Sequence, residues 1–270
     1  LRDIDGELAV VMHDNPDPDA IGSAVALATL AEALGTPAVP CYFGDIGHQE
    51  NRAMVNLLDL DLENLASGEA AVERFGGCAL VAHSRPGVND GLDPETAVDV
   101  VIDHHPPRAP VEARYVDLRS DVGATSTLLA EYLDRLGVTP DRTIATALLY
   151  GIRIDTRDFT REAVDSDFEA AAFLLPYTDE SVLDRVEEPS MSPDVLATLS
   201  AAIRNRRVRE DVLTTGVGQI RDRDALAQAA DRLLDMEGVS IVVVHGFMNG
   251  TVYIAGRARG TDVDLGEVLR

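Results

Sequence analysis

No lysine occurs in this chain: all 23 basic residues are arginine, set against 47 acidic ones, for a net charge of −24 at pH 7. So acidic a surface repels itself and binds nucleic acid poorly in dilute buffer. At molar salt the screening length falls to about 3 Å and that objection disappears. Acidic excess without lysine is therefore the composition expected of a cytoplasmic protein from an extreme halophile. The acidity does not mark a calcium-binding protein, because no Asp-x-Asp-x-Asp-Gly loop of the EF-hand kind is present. Cysteine is scarce. Cys41 and Cys78 lie in or beside apolar segments without Cys-x-x-Cys spacing, which fits buried thiols rather than a disulfide or a metal site. No apolar stretch approaches membrane-spanning length and no signal peptide is visible, so no membrane partner is expected.

What is present is alternation. Segments 7–13, 37–43, 78–83 and 98–103 are rich in Val, Ala and Ile and read as buried strands. Ala20–Leu34 and Gln49–Leu60 carry helical spacing. Further helices are predicted from Gly123-Ala124-Thr125-Ser126 toward Leu136, over Thr143–Gly151 and over Arg161–Leu175. The hydroxyls and N–H groups of residues 123–126 suit a phosphate, and equally an ordinary helix cap. Such alternation predicts an α/β fold: a mainly parallel sheet with flanking helices. Near Pro176 the texture turns polar and breaker-rich. Residues 1–177 read as one domain, 178–207 as a helical linker including Pro193–Arg206, and 208–270 as a smaller α/β domain. In that domain Asp211–Ile220, Val239–His245 and Thr251–Ala255 read as strands, Asp222–Met236 as a helix, and Gly246–Gly250 as a hairpin.

Three strand or helix ends are rich in metal-ligating side chains. His13-Asp14-Asn15-Pro16-Asp17-Pro18-Asp19 follows an apolar run and opens onto a helix. Hard divalent cations favour carboxylate oxygens, with imidazole added for manganese-like or zinc-like ions. An Asx turn leading to a helix cap uses the same residues. Asp103-His104-His105 ends the apolar run 98–102, and Asp103 there suits the fixing of an imidazole tautomer. The third corner is Gly151-Ile152-Arg153-Ile154-Asp155-Thr156.

Taken in order over residues 7 to about 175, these corners resemble the DHH phosphoesterase superfamily, which includes RecJ-like exonucleases, nanoRNase/pAp phosphatases, cyclic-di-AMP phosphodiesterases and family II pyrophosphatases. The resemblance implies two divalent ions, Mn2+ first, with Mg2+ or Co2+ as alternatives. It makes His13 and Asp17 ligands of one metal and Asp19, His104 and Asp155 ligands of the second. His105 would contact the scissile phosphate or its leaving oxygen, and Asp103 is the second catalytic candidate. In such sites, ions roughly 3.5–4 Å apart neutralise phosphate oxygens during in-line attack.

One position departs from the pattern. Where the family carries a bridging Asp in a segment of the type Leu-Val-Asp-His-Ser, this chain reads Leu80-Val81-Ala82-His83-Ser84. Three origins fit Ala82: an engineered inactivating substitution, a naturally weakened enzyme, or a paralogue that binds its ligand without cleaving it. His83 is not expected to substitute, since neighbouring strand residues face opposite sides.

The second domain resembles the DHH-associated domain, with Arg257 in Ala255-Gly256-Arg257-Ala258-Arg259 as a candidate phosphate clamp or an exposed salt-bridging residue. Arg85, His48 and Arg52 are further candidates for substrate contact, with loop capping and helix-surface chemistry as the plain alternatives. The resemblance implies a phosphodiesterase or phosphatase acting on short or cyclic nucleotides or nucleic-acid ends. A catalytically inactive nucleotide-binding regulatory module is the alternative, and an inorganic pyrophosphatase a weaker third. A small nucleotide or short oligonucleotide is the expected partner, and an edge strand or the second domain offers a surface for a homodimer. The chain begins at Leu1 and stops at Arg270 in mid-pattern, so both ends read as fragment boundaries. A further N-terminal domain and a Gly-Gly-Gly-His-type loop are expected outside it.

Overall fold

The computed structural model describes residues 1–67, 72–187, 192–260, 263 and 265. The chain divides into two compact units, Leu1–Pro189 and Ser190–Arg270. The first contains strands β1 (Leu8–Val11), β2 (Ala38–Tyr42), β3 (Glu63–Asn64), β4 (Gly77–Val81), β5 (Val100–Asp103) and β6 (Tyr115–Leu118). Its helices are α1 (Pro18–Ala33), α2 (Gln49–Leu57), α3 (Thr125–Leu136), α4 (Arg142–Asp155), α5 (Asp165–Leu174) and α6 (Glu180–Glu187).

The six strands form one parallel sheet in the order β3-β2-β1-β4-β5-β6. From β1 the chain winds outward to β3, then returns to lay β4 on the other side of β1. That reversal opens a crevice at the carboxyl ends of β1 and β4, where open α/β sheets hold ligands.

Both faces of the sheet are buried, which is why its strands read as near-continuous apolar runs. Leu8 and Val10 join one core with residues of all six helices, while Ala9 and Val11 join a second with Phe43, Leu65, Phe75, Leu80 and Leu92. Among the described residues, this second core draws on no helix, so loops close that face. Strands β3 and β6 were not legible in advance. The first has only two residues, and the second exposes Tyr115 and Val116, so neither carries a buried strand's apolar run.

Helix α1 is buried from Pro18 to Ala28 without interruption. Gly22 makes this burial possible: a Cβ there would stand 2.8 Å from the Ala147 carbonyl oxygen of α4. The helix predicted from Arg161 begins instead at Asp165. Arg157, Asp158, Phe159 and Glu162 have φ of 48°, 52°, 60° and 54°, a left-handed stretch incompatible with α-helix.

The second unit has α7 (Pro193–Asn205), β7 (Arg207–Arg209), β8 (Val212–Gln219), α8 (Asp224–Leu234), β9 (Ile241–Met248) and β10 (Thr251–Ala258). Its sheet runs β10-β9-β8-β7, with β8 and β9 parallel across α8 and the outer pairs antiparallel. The hairpin between β9 and β10 is tighter than the predicted Gly246–Gly250 loop. Its turn is Asn249-Gly250, both at positive φ (53° and 80°), the pair favoured in two-residue hairpins. The stretch 178–207 is shared: α6 packs on α2 and α4, and α7 on α8 and β8. The connector residues 188–191 and the terminal 266–270 lie outside the described residues.

Candidate metal centre

Three strand ends and one helix end meet in the crevice. His13 follows β1, Ala82 follows β4, His104 follows β5, and Asp155 closes α4.

In the first corner, capping and ligand-like geometry coexist. Asp17 is the N-cap of α1: its Oδ1 accepts the Ala20 N–H at 2.9 Å, and Pro18 follows in the first turn. Its Oδ2 remains 3.6 Å from His13 Nε2. His13 Nδ1 lies 3.0 Å from the Asp14 carbonyl oxygen, which orients Nε2 toward the site. The loop is braced from two sides. Asn15, at φ 50°, accepts the Gly47 N–H at 2.7 Å, and the Asn51 amide donates to the Pro16 carbonyl at 2.9 Å.

Asp19 stands in the first turn of α1, 1% exposed. Its carboxylate accepts the N–H groups of Thr125 at 3.0 Å and Ser126 at 2.7 Å. These are first-turn donors of α3, whose own N-cap residue, Ala124, makes no side-chain cap. A distant carboxylate thus satisfies a helix N-terminus. Of the two readings offered for residues 123–126, capping is the one realised.

His104 donates its backbone N–H to the Thr125 hydroxyl at 3.3 Å, and its Nδ1 lies 3.4 Å from the Val122 carbonyl oxygen. Its Nε2 faces Asp155 Oδ2 at 3.2 Å and Asp19 Oδ2 at 3.9 Å. That nitrogen is buried and has no hydrogen-bond partner. Asp19, His104 and Asp155 each offer one ligand atom, all within 4.8 Å of one another. Two carboxylates facing a buried imidazole nitrogen that makes no well-aligned hydrogen bond are a donor set that fits a divalent cation.

The charges agree with this grouping. Burial opposes protonation of His13, but the hydrogen bond and charge of Asp17 prevail and raise its pKa to about 9. Burial likewise opposes charge on His104, and Asp155 and Asp19 raise it to about 9. Asp19 is pushed up to about 6 by burial and by neighbouring Asp155. Asp17 is lowered, His13 outweighing the cost of burial.

Residues 7–152 match the DHH family N-terminal domain. The chain belongs to the DHH family. It is 42% identical over 264 residues to an uncharacterized protein of Methanocaldococcus jannaschii, covering 97% of this chain and 54% of that protein. It is 27% identical over 255 residues to the cyclic-di-AMP phosphodiesterase PdeA of Listeria monocytogenes, covering 86% of this chain and 38% of that protein. The chain thus spans about half, or less, of the length of these relatives. An exopolyphosphatase-related protein from Bacteroides fragilis shares the fold, with a TM-score of 0.70 at 17% identity over 94% of this chain and 79% of that one.

In this DHH domain the three side chains of the Asp-His-His run are held differently. Asp103 is buried, and its Oδ1 accepts from both the backbone N–H (3.0 Å) and Nδ1 (2.8 Å) of His105. Burial would raise the Asp103 pKa, but these bonds lower it. His105 is held by one nitrogen, while its side chain is 57% exposed.

Ala82 is 4% exposed and left-handed, at φ 56°. His83 turns away from a ligand role. Its Nδ1 lies 2.9 Å from the Val81 carbonyl oxygen and its Nε2 3.0 Å from Asp90 Oδ2. Asp90 also accepts the Gly87 and Leu92 N–H groups, each at 2.8 Å. Sequence reading missed Asp90; the turn-forming run Gly87-Val88-Asn89-Asp90-Gly91 was its local signal.

The remaining candidates take varied positions. Arg85 and His48 are exposed, and His48 is the N-cap of α2 without a side-chain cap bond. Arg52 turns its guanidinium onto the carbonyls of Ile46 and Gly47. Arg257, on β10 of the second unit, is engaged by Asp231 through Nε at 2.5 Å and a second nitrogen at 3.3 Å. Among the described residues, no helix is long and apolar enough to cross a membrane.

Proposed function

We propose that this chain forms the hydrolytic part of a divalent-metal-dependent phosphodiesterase or phosphatase. Its substrates are short or cyclic nucleotides of the nanoRNA, pAp or cyclic-di-AMP type, or nucleic-acid ends. The observation that carries this reading is the buried Nε2 of His104 facing the carboxylates of Asp155 and Asp19 at 3.2 and 3.9 Å, each offering one ligand atom to a common point. The name borne by the Listeria relative, a cyclic-di-AMP phosphodiesterase, supports the substrate class.

In this reading His13 and Asp17 hold one ion and Asp19, His104 and Asp155 a second. Imidazole mixed with carboxylate suits Mn2+, with Mg2+ or Co2+ as alternatives. Bound there, such ions would neutralise phosphate oxygens and activate water. Asp103 fixes the orientation of the His105 ring through Nδ1, so its other nitrogen is placed to meet the leaving oxygen. Arg85 and His48 are free to meet the substrate, and Arg257 would exchange Asp231 for phosphate.

A second reading rests on Ala82, which removes the carboxylate that the family pattern places between the ions. The chain would then bind a nucleotide without cleaving it. The wild-type chain and Ala82→Asp are to be assayed with Mn2+ in high salt against pApA, pAp, cyclic-di-AMP, single-stranded oligonucleotides and pyrophosphate. Recovery of at least about a hundredfold in the Asp variant is expected. If that variant binds two ions and holds a nucleotide tightly yet cleaves none of the five, the hydrolase reading fails.

A further inference from the structure

Asp167 is the third residue of α5 and wholly buried, at 0% exposure. A buried carboxylate is costly unless hydrogen bonds satisfy it, and this one is surrounded by donors. The Val164 N–H reaches Oδ2 at 2.9 Å, which is local capping of α5. The other two donors come from a different part of the chain. The Gly123 N–H lies 3.0 Å from both oxygens, and the Thr127 hydroxyl donates to Oδ1 at 2.6 Å.

The segment so gripped, 122–127, touches the candidate metal centre at four points. The Val122 carbonyl oxygen meets His104 Nδ1 at 3.4 Å, and the Thr125 hydroxyl accepts the His104 N–H at 3.3 Å. Thr125 and Ser126 hold the two oxygens of Asp19 at 3.0 and 2.7 Å. The grip is close on the remaining side too. A Cβ on Gly123 would stand 2.5 Å from the side chain of Thr156, the residue after Asp155, and 2.7 Å from Asp167 Oδ2.

We infer that Asp167 is a positioning residue for the site formed by Asp19, His104 and Asp155. It touches none of the three directly. It anchors the backbone turn whose N–H, hydroxyl and carbonyl groups fix the Asp19 carboxylate and the His104 ring, leaving Asp19 Oδ2 and His104 Nε2 aimed at a common point. This inference rests on the metal reading proposed above. It adds a support outside the ligand set, contributed by a helix that carries none of the candidate ligands.

The test separates the two halves of the centre. In a His13→Ala background the Asp19–His104–Asp155 half alone stays complete, and in an Asp155→Ala background the His13–Asp17 half alone does. Mn2+ uptake is followed by the electron paramagnetic resonance signal of the free ion. Asp167→Asn, which keeps the size but turns an N–H toward the Gly123 or Val164 donor, is expected to weaken uptake at least about tenfold in the first background. In the second background it is expected to leave uptake unchanged. Thr127→Val removes one bond to Asp167 without altering charge; it should give a smaller loss in the same half, and it carries the test if Asp167→Asn does not fold. Equal losses in both halves, or lower melting temperature with unchanged uptake in each, overturn the inference while leaving the metal reading intact. A wild-type chain that takes up no Mn2+ overturns both.

Discussion

Gly151 on α4 lies so close to Asp19 on α1 that a Cβ there would stand 3.0 Å from the Asp19 Cα and 2.5 Å from the Ser126 hydroxyl oxygen. Asp155 follows one helical turn later on the same face of α4. The absent side chain is therefore what lets Asp155 come within reach of His104 and Asp19.

Gly151→Ala must push α4 away from α1. Overpacking of this kind costs about 1–3 kcal/mol, outweighing the better helix propensity of alanine. Urea unfolding should show the loss, and Mn2+ titration should show weaker uptake. A variant as stable as wild type with unchanged uptake would contradict the close-approach account.

Ala82→Asp tests the missing carboxylate through stability as well as catalysis. Residue 82 is buried and at positive φ, a conformation in which Asp is several-fold enriched among non-glycine residues. The backbone therefore accepts the change. Without metal, a carboxylate at this buried position is costly to charge, so melting temperature should fall. With Mn2+ it should rise by more than in wild type. Calorimetry with and without the ion reads both signs.

The raised histidines set a pH dependence. His13 and His104 have pKa values of about 9 in the folded, metal-free chain, above the ordinary histidine value of about 6.5. Protonation of these rings thus stabilises the metal-free fold. That contribution is full below pH of about 6.5 and is lost as pH rises through about 9. An entering ion must displace these protons, so apparent affinity should climb by up to about tenfold per pH unit for each proton released. Titration calorimetry in two buffers of different ionisation enthalpy counts those protons. Affinity independent of pH between 6 and 9 would contradict this linkage.

Arg157, Asp158 and Phe159 are three consecutive left-handed residues. Arg157 is exposed, so its replacement by glycine removes steric strain while disturbing little packing. Arg157→Gly should stabilise the chain by up to about 1 kcal/mol, less the entropy that glycine adds to the unfolded state. A clear loss of stability in urea would show that the arginine side chain matters more than its backbone.

The parts of the site legible in the sequence were those at the ends of apolar runs. His13 and His104 follow buried strands and Asp103 ends one, and a parallel sheet brings such ends to one edge. Asp155 was legible from its corner after an apolar helix. The supporting bonds were not. The attachment of Asp19 to Thr125 and Ser126, and of Asp167 to Gly123, joins elements far apart in the chain, and a helix without its own cap residue does not announce what will cap it. β6 escaped because two of its four residues face solvent. The left-handed turn after Asp155 escaped because none of its residues is glycine, the usual marker of that conformation.

The face of the sheet closed by loops has a consequence for how the crevice can change. The segment after Ala82 supplies Leu92 to the second core and Asp90 to His83, and its Asn89 carbonyl accepts the Asp14 N–H at 2.7 Å. One stretch of irregular chain is thus both core lining and border of the His13–Asp19 loop. Within that stretch the side chains of Arg85, Val88 and Asn89 are exposed. Insertions there would reshape the border without shifting a strand, because no helical register has to be preserved. The six-stranded frame and the contour of its crevice are therefore free to diverge separately.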